Sequence, residues 1–172
     1  GEVYTWTDDS GIRHFSNISP PKGKTAAKMP ESMPPAADSS AFTVIRVFDG
    51  DTVQVKGQML EFRIRLVAID APETGGRTKK GQPYSQKAKK RLAKLILGKK
   101  VRLKQYGTGG YNRILAEVYF GEKNINMAMV RQGLAEVYQG RLPDTLNICA
   151  YKKAEKKARQ NKTGIWSLGR SY

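Results

Sequence analysis

The sequence predicts an α+β fold: a small closed barrel of five strands braced by three helices, with a separate β-hairpin unit in front of it. Three observations lead there. Five short β-prone runs with one helical segment among them occupy residues 42–120, and two further helical segments follow. Residues 22–41 are rich in Lys, Ala, Pro, Ser and Met, show no sustained period and read as a linker. Charge divides the chain at the same place: residues 1–40 carry 4 Lys/Arg and 5 Asp/Glu, whereas residues 41–172 carry 27 and 10. At 172 residues there is room for one well-buried domain and a small appendage. The expected units are therefore 1–21, a small β unit; 22–41, a linker; and 42–172, the barrel domain.

In the first unit, Val3–Thr7 and Ile12–Ser16 are β-prone runs flanking the turn Asp8-Asp9-Ser10-Gly11, and Pro20-Pro21 closes the second run. Some twenty residues cannot bury a core alone, so Tyr4, Trp6 and Phe15 are expected to pack on the following domain. The barrel domain opens with a strand from Phe42 to Phe48, a tight turn at Asp49-Gly50, a second strand to Lys56, and a third from Met59 to Ile69 after Gly57. That third strand alternates, with Phe62, Ile64 and Leu66 on one face and Glu61, Arg63 and Arg65 on the other, and stops at Asp70-Ala71-Pro72-Glu73. Residues 74–82 are Gly- and Lys-rich and read as a mobile basic loop. Pro83 suits a first helical turn, with Ala88, Leu92, Leu95 and Ile96 on one face and Gly98 as the stop. Strands are expected over Lys100–Gln105 and Tyr111–Phe120 around a flexible turn at Gly107–Gly110. A short helix follows over Asn124–Gln132, then a brief strand over Leu134–Tyr138. The last helix is expected from about Pro143 to Asn161, with Leu146, Cys149, Ala150 and Ala154 inward, and Ile165-Trp166 docking after Gly164. Five strands interrupted by one helix, with helices behind them, suggest a barrel of the oligonucleotide-binding type.

Composition narrows the chemistry. The formal charge of +16 lies wholly on the barrel domain and favours a polyanion. The one histidine is His14, outside that domain, and the one cysteine is Cys149. A zinc site, a thiol–imidazole pair, a histidine-based nuclease centre and an internal disulfide are thereby excluded for the domain. No apolar run approaches the ~20 residues of a membrane span, and no signal peptide is visible, although a mature exported chain has lost it.

Asp51, Asp70 and Glu73 are three of only ten acids in the strongly basic part. Brought together on a surface meant for a polyanion they are self-defeating unless a cation sits among them. Ligation by oxygen alone points to a hard ion, calcium or magnesium, completed by a backbone carbonyl and waters. Arg65 and Arg113 then supply bidentate donors to a phosphate. Phosphodiester hydrolysis builds negative charge at phosphorus, which a dication and two guanidiniums suit, with Glu73 placed to hold or deprotonate the attacking water.

At these residues the chain resembles the staphylococcal nuclease family. The resemblance is carried by Asp49-Gly50-Asp51-Thr52, Arg65-Leu66-Val67-Ala68-Ile69-Asp70-Ala71-Pro72-Glu73, Tyr111-Asn112-Arg113 with Leu115-Ala116, then Asn126 and Val130-Arg131-Gln132-Gly133-Leu134-Ala135. It spans about Thr43 to Trp166. It implies a calcium-dependent endo- and exonuclease on DNA and RNA, with little base specificity and 3′-phosphorylated products. Asp51 and Asp70 match the calcium carboxylates, Ala71 the residue giving a backbone carbonyl, Glu73 the water-directing glutamate, and Arg65 and Arg113 the phosphate-binding arginines. Gly109-Gly110 stand where the family often has a charged pair, so a lysine contact to a terminal phosphate is missing; Lys79 or Lys80 are candidate substitutes. Tyr111 and Tyr138 are candidate substrate-side tyrosines. The first unit resembles a short module found in exported bacterial proteins, which implies a secreted or periplasmic setting. A monomer with no stable protein partner is expected. The competing readings are a catalytically inactive nucleic-acid-binding barrel and a binder of anionic glycans.

Overall fold

The computed structural model describes residues 4–7, 13–16, 27–28, 41–57, 60–76 and 80–169. Backbone contacts divide the chain into Gly1–Ser39 and Ser40–Tyr172. In the first unit β1 (Tyr4–Thr7) pairs antiparallel with β2 (Arg13–Ser16) and, on its other edge, with β3 (Ala27–Lys28), which falls within the stretch expected to be linker. The turn between β1 and β2, and the surroundings of Tyr4, Trp6 and Phe15, lie outside the described residues.

In the second unit β4 (Phe42–Val47), β5 (Thr52–Lys56) and β6 (Glu61–Leu66) form an antiparallel meander. Alternation sends Val53, Val55, Ile64 and Leu66, all fully buried, to one face. Phe42 and Phe62 cover the rim of the core edge-to-face at 5.2 Å. The Asp49 carboxylate accepts the Asp51 N–H at 2.9 Å, which turns β4 into β5. Gly50 is needed for a close approach: a Cβ there would lie 2.5 Å from that of Ala71 and 2.8 Å from that of Ala88.

The third strand is shorter than the alternation predicts. Ala68 takes a left-handed φ of 70° while buried, so β6 breaks at Val67–Ala68 and resumes as β7 (Ile69–Asp70). The break is held by the fully buried Asn126. Its amide donates to the carbonyls of Val67 (2.9 Å) and Ala116 (3.0 Å) and accepts the Val118 N–H (3.0 Å). Helix α1 (Ser85–Ile96) starts two residues beyond Pro83, because Tyr84 caps it at a φ of 66°. It buries Ala88, Leu92 and Ile96 as expected.

β8 (Lys100–Gly109) runs through Gly107, where a register shift against β9 (Arg113–Phe120) lets the strand bulge instead of ending. The chain reverses at Gly110–Asn112, with Tyr111 left-handed at a φ of 61°. β9 lies parallel to β6 and antiparallel to β8, and β8 pairs with β4, so the five strands close on themselves. β10 (Lys123–Asn124) extends β9, and α2 (Ile125–Arg131) is capped by the Asn124 side chain accepting the Met127 N–H. β11 (Glu136–Val137) pairs with β7, opposing Glu136 to Asp70.

α3 (Ile148–Gln160) starts five residues later than predicted, since Pro143–Leu146 closes only a turn. Its buried residues, Tyr151, Glu155 and Ala158, define a stripe that leaves Cys149 on the opposite side. Cys149 is therefore exposed, and its expected core role is wrong. Ile165 and Trp166 do bury behind α3, in a one-turn helix at Gly164–Leu168. Among the described residues no helix is long and apolar enough to cross a membrane.

Candidate active site

β5, the broken β6–β7 edge and the β8–β9 turn bring the predicted charged residues to one end of the barrel. Asp51, buried at the start of β5, forms an ion pair with Arg65 through Oδ2, which also accepts the Ala71 N–H at 2.8 Å. Its Oδ1 accepts the Thr52 hydroxyl at 3.0 Å. Arg65 reaches the other way to Asp70, donating to Oδ1 at 2.6 Å. One guanidinium thus lies between two carboxylates, which the Thr52–Arg65 strand pairing and the β7 turn place on either side of it.

The electrostatics follow from burial. Burial pushes the Asp51 carboxyl up to about 7, helped by the neighbouring Asp49 carboxylate and opposed by Arg65 and the Ala71 N–H. Burial also disfavours the Arg65 charge, but Asp51 and Asp70 together outweigh it and hold the guanidinium above its usual range. A carboxylate so placed ionises fully only beside strong positive charge. The oxygen-only donors around it are those that hard divalent cations take. Asp51 and Asp70 thus offer donors of the kind a calcium or magnesium ion takes, and both are turned onto Arg65.

Arg65 and Arg113 line one cleft of about 390 Å³, with Val67–Ile69, Gly109, Gly110, Leu115, Tyr138, Arg141, Leu142 and Pro143. Arg113 donates to the Gly110 carbonyl at 3.0 Å and lies 5.4 Å from the Tyr111 ring centre. Tyr111 is 91% exposed at the tip of the turn, and Tyr138 is a partly exposed cleft wall. A smaller cavity of about 120 Å³ is lined by Asp70, Ala71, Glu73 and Glu136. Arg65 lines the first and Asp70 the second, and the two side chains are bonded to each other.

The expected group of three carboxylates forms only in part. Asp51 and Asp70 converge on Arg65, whereas Glu73 is exposed and its backbone, not its carboxylate, is tied down by exchange with Gln82 (2.7 and 2.9 Å). Among the described residues no three acids, histidines or cysteines converge tightly enough to cage an ion. Ala71 joins the site through its N–H, which the reading by backbone carbonyl did not anticipate. Lys80 is exposed and lines neither cavity, and Lys79 lies outside the described residues. The sequence reading missed Arg141, a third arginine in the cleft, and Glu136, whose carboxyl is pushed up by burial and by the charges of Glu155 and Asp70. Arg141 follows Tyr138-Gln139-Gly140 in a loop without periodicity, where only its charge could have signalled it.

The family of staphylococcal nuclease homologues matches residues 63–168, and a domain of unknown function (DUF4124) matches residues 1–41. An uncharacterized endonuclease of Haemophilus influenzae is 38% identical over 126 residues, covering 72% of this chain and 65% of that protein. An uncharacterized endonuclease of Escherichia coli is 38% identical over 125 residues, covering 72% and 75%. A probable endonuclease (LCL3) of Komagataella phaffii is 36% identical over 113 residues, covering 62% of this chain and half of its own length. A barrel of five strands that closes through parallel β6–β9 pairing is consistent with that match. The chain belongs to the staphylococcal nuclease family.

Proposed function

We propose that residues 42–172 form a calcium-dependent nuclease that hydrolyses phosphodiester bonds in DNA and RNA with little base specificity. The observation that carries the reading is the arrangement at Arg65: two carboxylates flank one guanidinium, and a second arginine, Arg113, shares its cleft. Endonucleases among the relatives support it.

Asp51 and Asp70, with the Ala71 carbonyl, would hold the cation; calcium tolerates such ligands from separate strands better than the strict octahedron of magnesium. When bound, the ion supplies Lewis-acid neutralisation of the phosphate oxygens. Arg65 and Arg113 donate to the non-bridging oxygens as charge builds on them. Glu73 accepts a proton from the attacking water. The new bond forms from water oxygen to phosphorus as the bond to O5′ breaks, and the departing O5′ takes a proton from solvent, giving a 3′-phosphate and a 5′-hydroxyl. Tyr138 and Arg141, which line the cleft, and the exposed Tyr111 would take flanking nucleotides, and Lys79 and Lys80 would add charge to the substrate side. The low resolving power of stacking and phosphate contacts accounts for weak base preference. The resemblance of the first unit to modules of exported proteins supports a secreted or periplasmic enzyme.

The test is incubation of plasmid DNA and of RNA with calcium, with magnesium and with a chelator, followed by end-group analysis. Cleavage of both in calcium, suppressed by the chelator and leaving 3′-phosphates, is expected. Absence of cleavage under every divalent ion would leave a binding module and sink the enzyme reading.

A further inference from the structure

Arg63 shares a strand face with Arg65, two residues away, yet contributes nothing to the cleft. Its guanidinium carbon lies 4.6 Å from the centre of the Phe48 ring, and that of Arg46 lies 4.8 Å from the same centre. The pairing register explains the meeting. Arg46 opposes Gln54 across β4–β5, and Gln54 opposes Arg63 across β5–β6. Opposed residues share a face, so Arg46, Gln54 and Arg63 form one row across three strands. The next row holds Thr52 opposite Arg65, with the Phe48 N–H donating to the Thr52 carbonyl at 2.9 Å. The other face of these strands is the core, so both rows lie on the side away from it, with Thr52 covered by its neighbours and Arg46 and Arg63 exposed.

We infer that Arg46 and Arg63, clasping Phe48, are a second phosphate-binding station for a single nucleic-acid strand, next to the scissile site. This rests on the nuclease reading above and extends its substrate contacts. Three observations carry it. Two guanidiniums gathered on one ring repel each other, and one would suffice to stack the phenylalanine; a face held for stability alone would set a carboxylate between them. Glu61, the acid two residues before Arg63 on this face, is already engaged, accepting from Gln54 at 2.9 Å and lying 3.8 Å from Lys56. Stacking uses the flat face of a guanidinium and leaves its N–H edge for phosphate oxygens. Both arginines are exposed, and the step from Arg63 to Arg65 is about 6.8 Å along the strand. A strand held by Arg65 at one phosphate therefore passes over the pair with a neighbouring one.

The experiment measures binding of a fluorescein-labelled 20-nucleotide single strand by anisotropy in chelator, across a range of salt, alongside KM and kcat on long single-stranded DNA in calcium. Arg46→Ala/Arg63→Ala should weaken binding at least ten-fold, reduce the slope of log K against log salt by about 1.4, and raise KM more than it lowers kcat. Arg46→Lys/Arg63→Lys should recover part of the salt slope. Lys90→Ala/Lys94→Ala removes equal charge from the exposed face of α1 and should stay within two-fold of wild type. Equal losses from the two double alanine variants would overturn the station in favour of bulk charge, as would unchanged binding by Arg46→Ala/Arg63→Ala. If wild type binds the strand without cutting it, the nuclease reading fails and the comparison of the two double alanine variants still decides the station. If it does neither, both fail.

Discussion

Asn126→Ala tests whether the break in β6 that presents Asp70 is held by one amide. The side chain is fully buried and makes three hydrogen bonds to backbone. Ala116 keeps a partner after truncation, because its carbonyl also accepts the Val67 N–H at 3.0 Å. The Val118 N–H and the Val67 carbonyl lose theirs. Each orphaned buried group costs about 1–3 kcal/mol, so a loss of about 3 kcal/mol is expected, and a fall in Tm of about 10 °C for a domain of this size. Urea unfolding followed by tryptophan fluorescence reads it, with the midpoint falling and the m-value unchanged. A loss under ~1 kcal/mol would refute the reasoning and show that Asn126 is not what holds the break.

Further predictions concern the barrel's interior and its turn. Glu117 is a nearly buried carboxylate accepting from Tyr151 (2.7 Å), Asn124 (2.9 Å), Tyr106 (2.7 Å) and Tyr119 (3.2 Å). Burial alone would raise its pKa; these donors outweigh burial and hold it below the ordinary 4.5. A lowered carboxyl contributes stability that is fully present above the unfolded value and is lost as pH falls through the folded one. Glu117→Gln should therefore be less stable than wild type at pH 7, with the gap closing below about pH 4.5; urea midpoints at several pH values that show a gap growing in acid would contradict this. Gly50→Ala pushes a Cβ into Ala71 and Ala88 and should cost about 1–3 kcal/mol in thermal unfolding. A neutral Gly50→Ala would mean that the hairpin and α1 separate easily.

Much of this site is legible in residue order, and the reasons are local. Strand alternation puts Arg65 outward beside inward Ile64 and Leu66, and the hairpin at Asp49-Gly50 brings Asp51 back alongside it. The unreadable parts depend on backbone choices without a periodic signal. Ala68 gives no hint that it adopts a left-handed conformation, so the alternation carries the strand on to Ile69 and gives no sign of the opposition of Asp70 to Glu136. The start of α3 is set by a turn at Pro143–Leu146 that looks like the first turn of a helix, and that misplacement turned Cys149 inward. Arg63 and Arg46 are individually ordinary surface residues; only the register through Gln54 shows that they meet on Phe48.

In the proposed reaction the cleft between β6 and the β8–β9 turn stabilises a pentavalent phosphate with two guanidiniums. Arg113 tests it most directly, because among the described residues its hydrogen bond reaches only the Gly110 carbonyl and it bridges no carboxylate. Single-turnover cleavage of a labelled single-stranded oligonucleotide in calcium, measured for wild type and Arg113→Ala, separates chemistry from folding when melting curves are taken on the same samples. The prediction is a rate lowered at least ~100-fold with Tm unchanged within about 2 °C. A variant that keeps its Tm and cleaves within about three-fold of wild type would contradict the claim.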